Sequence, residues 1–426
     1  MLNKNPETYS QNFSRKQLWY LNFFWFGFTI YSLSFTLSAT NHANIKILQS
    51  VQLVGLILIV ISVFSLIQFK LDNLYLKIIY LLYCCWLLSL IIRGFNLLFD
   101  FSYLKTFLFD PSYGGLLYFS PLMLLFPRDR IYYKKVFDII IIFGFFFIIY
   151  DILFIKDLLN PDRTSLESQG IVEIFSDLSF ACGFLLLTYE YHSKKRQLFA
   201  LGVILVALLF AIIRARRGLL LMYGNMILFS FILYIFHSKM KLLIIYLSIF
   251  IALLGAVYIS GIYKPHENRI FGFLADRGTE DTRSNVELYF YDDMKTKDWI
   301  IGRGINGEYF APGIEEGQLT NYRSVIETGY LQTILKGGLI SLGLFLLIAI
   351  PAIIKGLFYS KNILSKAAGI WILLALISLY PAIINTFSLR YLLVWVSIGI
   401  CYSKYLRNIS DEELKKYFLP KKKFQI

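Results

Sequence analysis

Apolar runs of about twenty residues recur along almost the whole chain, and no other feature constrains the fold as strongly. Hydrophobic residues make up 57% of the sequence and charged residues only 16%, and the mean hydropathy is +0.60. A soluble protein, whose surface must be wetted, is rarely so apolar. A helix needs roughly twenty apolar residues to cross the hydrocarbon core of a bilayer. The sequence therefore predicts an all-α polytopic membrane protein.

We count about twelve such runs and treat residues 1–426 as a single transmembrane domain. The runs lie at roughly 18–38, 47–69, 74–92, 112–126, 136–155, 171–191, 198–213, 218–236, 241–262, 327–350, 365–384 and 388–406. The first run is long and precedes many others, which is typical of a retained anchor rather than a cleaved signal peptide. Residues 263–326, between spans nine and ten, form one large polar insertion.

The distribution of basic residues predicts the orientation, because short loops rich in Lys and Arg stay in the cytoplasm. Alternate connections carry such residues, among them Lys70, Lys77, Lys134, Lys135, Lys194, Lys195, Lys239, Lys241, Lys355 and Lys361. Both termini are accordingly expected in the cytoplasm and the 263–326 loop on the external, periplasmic side. The net charge of +14 is spread over these loops and the termini, which argues against a nucleic-acid partner.

Lys predominates among the basic residues on the predicted cytoplasmic side, whereas Arg predominates on the external side. The segment Arg214-Ala215-Arg216-Arg217 joins two spans there with almost no loop. Three guanidinium groups so close to hydrocarbon are costly without a counter-ion, and Arg grips phosphate with a planar fork of donors. A lipid-linked diphosphate is one interpretation. Snorkelling to lipid headgroups and pairing with intramembrane acids are the alternatives.

Glu173 and Asp177 are those acids, four residues apart and hence on one face of the sixth span. Structural pairing with the arginines is the first interpretation, with cation binding or proton relay as alternatives. No metal site is expected, because Asp292 and Asp293 resemble a solvated pair and His266 has no partner at ligand spacing. The four cysteines lie in predicted spans and indicate no disulfide framework. No cofactor is expected.

The external loop is where we expect the chemistry, and it has recognisable local order. An apolar stretch beginning at Trp299 precedes Arg303, which is flanked by glycines, and an amphipathic stretch runs from Val286 to Met294. Short helices and tight turns packed over the membrane mouth are expected here. No serine-hydrolase GxSxG sequence and no nucleotide-binding GxxxxGK[ST] sequence occurs.

The end of this loop carries the most specific pattern. Residues 327–332 read ETGYLQ, and KGGLISLG follows at 336–343. This stretch resembles the end of the external loop and the following span in the O-antigen polymerase and O-antigen ligase superfamily, the Wzy-like and WaaL-like proteins. Residues 214–219 are similar to the family's Ser-Arg-Gly entry to a span, and residues 298–306 to the segment before the loop's end. The resemblance covers roughly residues 198–350.

Two positions depart from the family patterns. Glu327 stands where the ligases carry His, so the resemblance points to the polymerases, which vary more at this position. Arg303 and Gly313 are separated by nine residues, whereas an Arg-x10-Gly pattern occurs in some polymerases.

The resemblance implies a GT-C-like fold and a glycosyltransferase of the bacterial cytoplasmic (inner) membrane. The implied reaction joins undecaprenyl-diphosphate-linked oligosaccharide repeat units into lipopolysaccharide or capsule, with inversion at the anomeric carbon. The donor, the acceptor and the bilayer are the implied partners, and a chain-length regulator protein is a further one.

Roles for individual residues combine the resemblance with the chemistry that the reaction needs. A diphosphate leaving group needs fixed positive charge, and an incoming hydroxyl needs a base. Glu327 is the candidate base. The remaining candidates are Arg303 and Arg283 as catalytic residues, Arg214, Arg216, Arg217 and Arg323 as diphosphate ligands, and Glu173, Asp177 and Tyr330 as supporting residues.

Three other functions stay open. An O-antigen ligase would transfer the glycan to a lipid acceptor, and a cell-wall polymerase would share the large external loop. A lipid-linked oligosaccharide flippase or transporter would have a similar span count. Carriers usually show internal symmetry and short external loops, whereas the one long loop here falls late in the chain.

Overall fold

The computed structural model describes residues 14–40, 44–71, 73–94, 101–127, 129–160, 165–238, 283–313 and 321–419. Over these ranges the chain is almost entirely helical, and the exception is one ribbon of two short strands. The all-α architecture expected from the apolar runs is therefore confirmed for the residues described.

The helices follow one another in three stretches. The first contains α1 (Arg15–Ser38), α2 (Ile45–Leu66), α3 (Leu74–Gly94), α4 (Phe101–Phe109), the 3-10 helix Gly115–Leu125 and α5 (Arg130–Leu153). The second contains α6 (Ile155–Leu158), α7 (Leu166–Ser179), α8 (Cys182–Leu187), the 3-10 turn Tyr189–Tyr191, α9 (Lys194–Ile213) and α10 (Arg217–His237). The third contains α11 (Ser284–Asp293), α12 (Thr296–Ile301), β1 (Tyr309–Phe310), β2 (Tyr322–Arg323), α13 (Gly329–Phe358), α14 (Ile363–Ser378), α15 (Leu389–Tyr402), α16 (Lys404–Asn408) and α17 (Asp411–Phe418).

Within the described ranges, seven helical segments are long and apolar enough to cross a membrane. They are α2, α3, α5, the segment Ser168–Leu187 that combines α7 and α8, α9, α10 and α13. Each overlaps one of the twelve predicted spans. A multi-pass membrane protein is thereby supported, while the count of twelve and the orientation stay predictions.

The other five predicted spans have different outcomes. Residues 18–38 fall in α1, which has 24 residues but is not among the seven most apolar segments. Residues 112–126 contain a 3-10 helix of 11 residues. The last two predicted spans correspond to α14 and α15, of 16 and 14 residues. Residues 241–262 lie outside the described part of the chain.

Between α14 and α15 the chain is non-helical from 379 to 388, and much of this stretch is buried. The sequence accounts for the break, because Pro381 lacks an amide hydrogen and disfavours helix in the residue before it. The backbone N–H of Phe387 donates instead to the Pro111 carbonyl, at 2.6 Å. Non-helical backbone at membrane depth is tolerated where protein buries it. This non-helical segment, 379–388, brings backbone carbonyls into the interior.

An aromatic cluster packs the non-helical segment against the first and fifth helices. The ring of Phe28 in α1 stacks on Phe143 in α5, with 5.7 Å between centroids. Phe387 meets the edges of both Phe28 and Tyr31, at 5.4 and 5.8 Å. Each of these side chains is buried. The segment is therefore fixed in place by rings from helices that are distant in sequence.

The base of the loop is docked on α13. Gly302 ends α12 with a φ of +70°, and a Cβ atom there would lie 2.5 Å from backbone atoms of Lys336 and Gly337. The amides of Arg303 and Gly304 donate to the carbonyls of Leu335 and Lys336, at 2.8 and 2.9 Å. Only glycine combines this backbone conformation with this close approach.

The same part of the loop also contacts the end of α3. Asn306 donates through Nδ2 to the carbonyl of Gly94, the last residue of α3, at 2.5 Å. A second hydrophobic cluster fills the interior of the loop, built on Phe290, Tyr309 and Ile326. The described part of the loop, 283–313 and 321–326, is thus packed together and joined to α3 and α13.

Candidate functional site

The two carboxylates of α7 lie one turn apart and bind different arginines. Glu173 forms an ion pair with Arg216, and Nη1 of Arg216 also donates to Gln169 at 2.9 Å. Asp177 forms an ion pair with Arg390, whose Nη2 lies 3.3 Å from Oδ1 of Asp177. Glu173 is therefore paired with an arginine of the segment 214–217. Asp177 is paired with an arginine that the sequence analysis does not select.

A signal for Arg390 is nevertheless present in the sequence. It is the only charged residue in α15, and a charged residue in an apolar run is a functional candidate by default. Its side chain is only 9% exposed. Nη2 also donates to the Ile383 carbonyl at 3.3 Å, and the guanidinium lies 5.6 Å from the ring centre of Phe180. Arg390 therefore links the non-helical segment to α7.

Arg214 is completely buried and faces backbone carbonyls. It donates to Leu158 O through Nε at 3.0 Å and through Nη2 at 2.8 Å, and to Asp157 O at 3.1 Å. These carbonyls lie at the end of α6, where helical partners are missing. A cation at that end is also favoured by the helix dipole. Backbone carbonyls therefore engage Arg214, and the diphosphate contact expected from the sequence stays a prediction.

The turn between α9 and α10 separates the three predicted diphosphate ligands. Ala215 adopts a φ of +49°, which is uncommon for a residue with a side chain. The amide of Arg216 then reaches back to Ala211 O at 2.9 Å. Arg214 is buried against the end of α6, Arg216 is ion-paired with Glu173 of α7, and Arg217 lies exposed in the first turn of α10. The segment is not one cluster of equivalent guanidinium groups.

Glu327, the candidate base, is paired with Arg283 at the start of α11. Nε of Arg283 donates to Oε2 of Glu327 at 3.2 Å, and the Glu327 side chain is 67% exposed. Nη2 of Arg283 donates to Pro381 O at 2.9 Å. Arg323, four residues before Glu327, does not share a helical face with it. Arg323 lies in β2, opposite Tyr309, and α13 begins only after Glu327.

These pairs belong to one charged network. The Pro381 carbonyl that Arg283 binds lies 3.0 Å from the place where a Cβ on Gly218 would stand. Glu173 interacts electrostatically with Glu327 as well as with its partner Arg216. The loop, the α9–α10 turn, α7 and the non-helical segment therefore meet. The charged network consists of Glu173, Asp177, Arg216, Arg283, Glu327 and Arg390.

Arg303 holds the loop together. It makes five hydrogen bonds, two of them to Asp298 at 2.8 and 3.0 Å, and it is ion-paired with Asp293. A guanidinium has five N–H donors, so this arginine is fully engaged within the loop. Asp293 is correspondingly not a solvated acid as expected, since its carboxylate also accepts from the Phe310 amide at 3.0 Å.

The two remaining predicted residues lie on either side of Glu327. Arg323 is partly exposed on the β-ribbon. Tyr330 is partly buried in the first turn of α13, where it packs against both hydrophobic clusters. Its backbone N–H donates to Leu379 O at 3.4 Å. Tyr330 thus supports the junction between the loop and the non-helical segment.

A cleft of about 580 Å³, part of it open to solvent, adjoins this junction. Polar groups from several elements line it together with tyrosine rings: Ser112, Tyr113, Tyr118, Gln332, Thr333, Lys336, Ser341, Asn385 and Tyr391. Tyr113 connects the cleft to the charged network. Desolvation first, and then the negative charge of Asp110, Glu173, Glu327 and Asp177, raise the pKa of Tyr113 to about 12.

Two smaller cavities flank the pair of Asp177 and Arg390. One, of about 360 Å³, is lined by Asp177, Pro111 and the end of the non-helical segment. The other, of about 240 Å³, is lined by Arg390 and Phe180. The ion pair therefore lies between two spaces rather than within a continuous core.

Among the described residues, no group of three or more His, Cys, Asp or Glu side chains is arranged to hold a metal ion. His266 lies outside those residues. The arrangement can do two things chemically. Fixed arginines can bind an anion, and the exposed carboxylate of Glu327 can accept a proton. Comparison of the chain with protein-family models, with curated proteins and with solved structures finds no match.

Proposed function

We propose that this chain is a polysaccharide polymerase that joins polyprenyl-diphosphate-linked oligosaccharide units at the external face of the membrane. One observation carries the proposal. Glu327, an exposed carboxylate, is held 3.2 Å from Arg283, in the same network as Arg216. A base and an anion-binding group thus stand side by side at the junction of loop and membrane helices.

The reaction makes one bond and breaks one. The acceptor hydroxyl oxygen bonds to the anomeric carbon of the donor glycan, and the bond from that carbon to the diphosphate oxygen breaks. Glu327 takes the hydroxyl proton. The electron pair of the broken bond stays on the diphosphate, whose growing negative charge the arginines stabilise. A single displacement of this kind inverts the anomeric centre.

The contacts refine the roles within this proposal. Arg216, Arg217, Arg283 and Arg323 are the diphosphate ligands. Arg214 is structural because it is completely buried, and Arg303 is structural because it makes five hydrogen bonds within the loop. Glu173 and Asp177 hold Arg216 and Arg390 in place.

The wider setting is part of the same proposal. It comprises a GT-C-like fold with about twelve spans, the bacterial cytoplasmic membrane with both termini inside, and a role in lipopolysaccharide or capsule synthesis. The donor and acceptor are undecaprenyl-diphosphate-linked glycans, and a chain-length regulator is a further partner. No cofactor takes part.

A flippase or transporter for lipid-linked oligosaccharides is the second candidate. The observation that favours it is the non-helical segment 379–388 beside the ion pair of Asp177 and Arg390. Broken helices with charged residues at membrane depth are frequent in transporter binding sites. An exposed carboxylate outside the broken helix has no evident use in transport, which is why we prefer the polymerase.

Replacement of Glu327 by Gln tests the proposal, because it removes the base and keeps the size of the side chain. In cells that carry the variant in place of the wild-type chain, we expect single repeat units instead of long glycans on gels. Asp292→Asn is the matched control, since Asp292 is an exposed acid on α11, and it should leave glycan length unchanged.

Other results would redirect the assignment. Normal glycan length in Glu327→Gln would refute the catalytic role of this carboxylate. Loss of externally accessible lipid-linked units would favour the flippase. Normal long glycans that fail to reach a lipid acceptor would favour the ligase.

A further inference from the structure

Lys336 is a cation that the charged network does not include. It lies in the second turn of α13 and lines the 580 Å³ cleft. Its Nζ donates to the Gly307 carbonyl at 2.9 Å, which leaves two of its three N–H donors for other groups. No carboxylate among the described residues lies within the 4.0 Å of an ion pair with it. The Glu308 carboxylate attracts this ammonium only from beyond that distance. A desolvated ammonium without a contacting counter-ion is costly, so an anion from outside the chain would be favoured here.

The position of Lys336 relative to the ends of the apolar helices is suited to a ligand at the membrane surface. The amide of Gly304 donates to Lys336 O at 2.9 Å, and the neighbouring Asn306 donates to Gly94 at the end of α3. Lys336 is therefore level with the end of a membrane-crossing helix rather than with its middle. A water-soluble group attached to a lipid can reach this height.

Asn385 adds to the cleft a hydrogen-bond acceptor that has no partner among the described residues. Its Nδ2 donates to Oγ1 of Thr333 at 3.0 Å. Its Oδ1 is buried and has no hydrogen-bond partner among the described residues. Buried acceptors in native proteins are nearly always satisfied. A ligand hydroxyl would satisfy this one.

The rest of the lining is suited to a polyhydroxylated ring. Tyr113, Tyr118 and Tyr391 contribute aromatic faces and hydroxyl groups, and Gln332 adds an amide. Among the described residues that line the cleft, Lys336 alone is charged, so the cleft matches a ligand with one negative charge.

We propose that this cleft binds a glycuronic acid unit of the glycan, with Lys336 facing its carboxylate and Asn385 accepting a hydroxyl. The inference rests on the proposed function in taking a glycan as the substrate. A diphosphate suits the site less well, because a single Lys is a point charge whereas phosphate is better matched by the forks of arginine. The arginines of the charged network meet that need separately.

Binding of free sugars to the purified full-length chain in detergent tests this inference without requiring polymerisation. The probes are D-glucuronate and D-galacturonate, their neutral parents glucose and galactose, and inorganic pyrophosphate. We expect at least one uronate to bind about tenfold or more tightly than its parent, as loss of a charge-assisted hydrogen bond would give. This preference should vanish in Lys336→Met and persist in Lys297→Met, which removes an exposed loop lysine.

Two further variants keep the test decisive. Lys336→Arg retains the positive charge and should retain the preference for uronates. Asn385→Asp places a negative charge beside the carboxylate of the bound uronate and should abolish this preference. Equal binding of uronates and parents, or a preference that survives Lys336→Met, would overturn the inference. Binding of pyrophosphate alone, lost in Lys336→Met, would also overturn it and assign the cleft to the diphosphate. Glu327→Gln should bind uronate normally. Uronate binding therefore tests the cleft, whereas glycan length in Glu327→Gln tests the proposed polymerase function separately.

Discussion

Arg214 and Arg216 are separated by one residue, yet their guanidinium groups bind different parts of the fold. Arg214 caps the carbonyl end of α6, and Arg216 is ion-paired with Glu173 on α7. The positive φ of Ala215 lies between them. Two arginines that look equivalent in the sequence are therefore expected to fail in different ways when replaced.

Replacement of each arginine of this segment by Lys keeps the positive charge and removes the planar fork of guanidinium donors. Arg214→Lys should lower the unfolding free energy by about 1–3 kcal/mol, because buried carbonyls lose donors. Arg216→Lys or Arg217→Lys should instead lower polymer formation by about tenfold or more, through loss of charge-assisted contacts. Thermal unfolding in detergent measures the change in stability, and glycan length on gels measures the change in polymer formation. Full activity in both of the latter variants would remove their assignment as diphosphate ligands.

The pair of Asp177 and Arg390 should behave as a unit. Asp177→Asn leaves Arg390 without its counter-ion and should destabilise the protein by about 1–3 kcal/mol, less than a fully buried pair because Asp177 is partly exposed. Arg390→Met should cost a similar amount. The double variant Asp177→Leu with Arg390→Met should recover part of the loss in a double-mutant cycle. Strict additivity would mean that the two side chains do not stabilise each other.

Gly302→Ala should loosen the loop from α13. The substitution combines a φ of +70° with a contact of 2.5 Å to the backbone of α13, so the loop base has to shift. Gly313→Ala is the matched control, since Gly313 has a φ of +73° but open space around it. We expect faster proteolysis of the loop and lower activity in Gly302→Ala only. Equal effects would indicate that backbone strain, rather than the contact, is responsible.

The orientation can be read by cysteine labelling of intact cells. Ser324→Cys lies in the loop and Lys416→Cys in α17, and both positions are exposed. A reagent that does not cross the membrane should label Ser324→Cys alone, because Lys-rich connections are expected inside. The wild-type chain, with its four cysteines in helices, is the control. The opposite labelling pattern would contradict the orientation and the external reaction with it.

Tyr113 reports on the electrostatics of the site. Its pKa of about 12 exceeds the usual value near 10, so folding favours the neutral phenol. The stability that this shift contributes is present below pH 10 and is lost as the pH rises through 12. Absorbance titration, taken as the difference between the wild type and Tyr113→Phe, measures the midpoint. Glu327→Gln removes a nearby negative charge and should lower it, and an unchanged midpoint would place Glu327 too far away to interact.

Sequence reasoning recovers the features that depend on local pattern. Runs of apolar residues located the helices, and Glu173 and Asp177 were placed on one face from their spacing alone. The break after α14 was missed, although Pro381 marks it, because the apolar run continues through to Ile384 and periodicity alone does not show where a helix ends.

The sequence does not indicate which residues of distant segments form ion pairs with one another. Nothing near Arg390 indicates that its partner is Asp177, and nothing near Arg283 indicates Glu327. Arg214 and Arg216 were treated as equivalent because a left-handed Ala215 has no sequence signature. These contacts arise from how the helices pack, which single-sequence patterns do not specify.

The ion pair of Asp177 and Arg390 also sets a condition on biosynthesis. The two residues are separated by about 210 positions, which a ribosome covers in roughly 10–40 s. During that interval the translocon has to release a helix that carries a carboxylate whose counter-ion has not yet been made. Arg216 follows Asp177 by only about 40 positions and pairs with Glu173, whereas the counter-ion of Asp177 is made only with the last apolar helix.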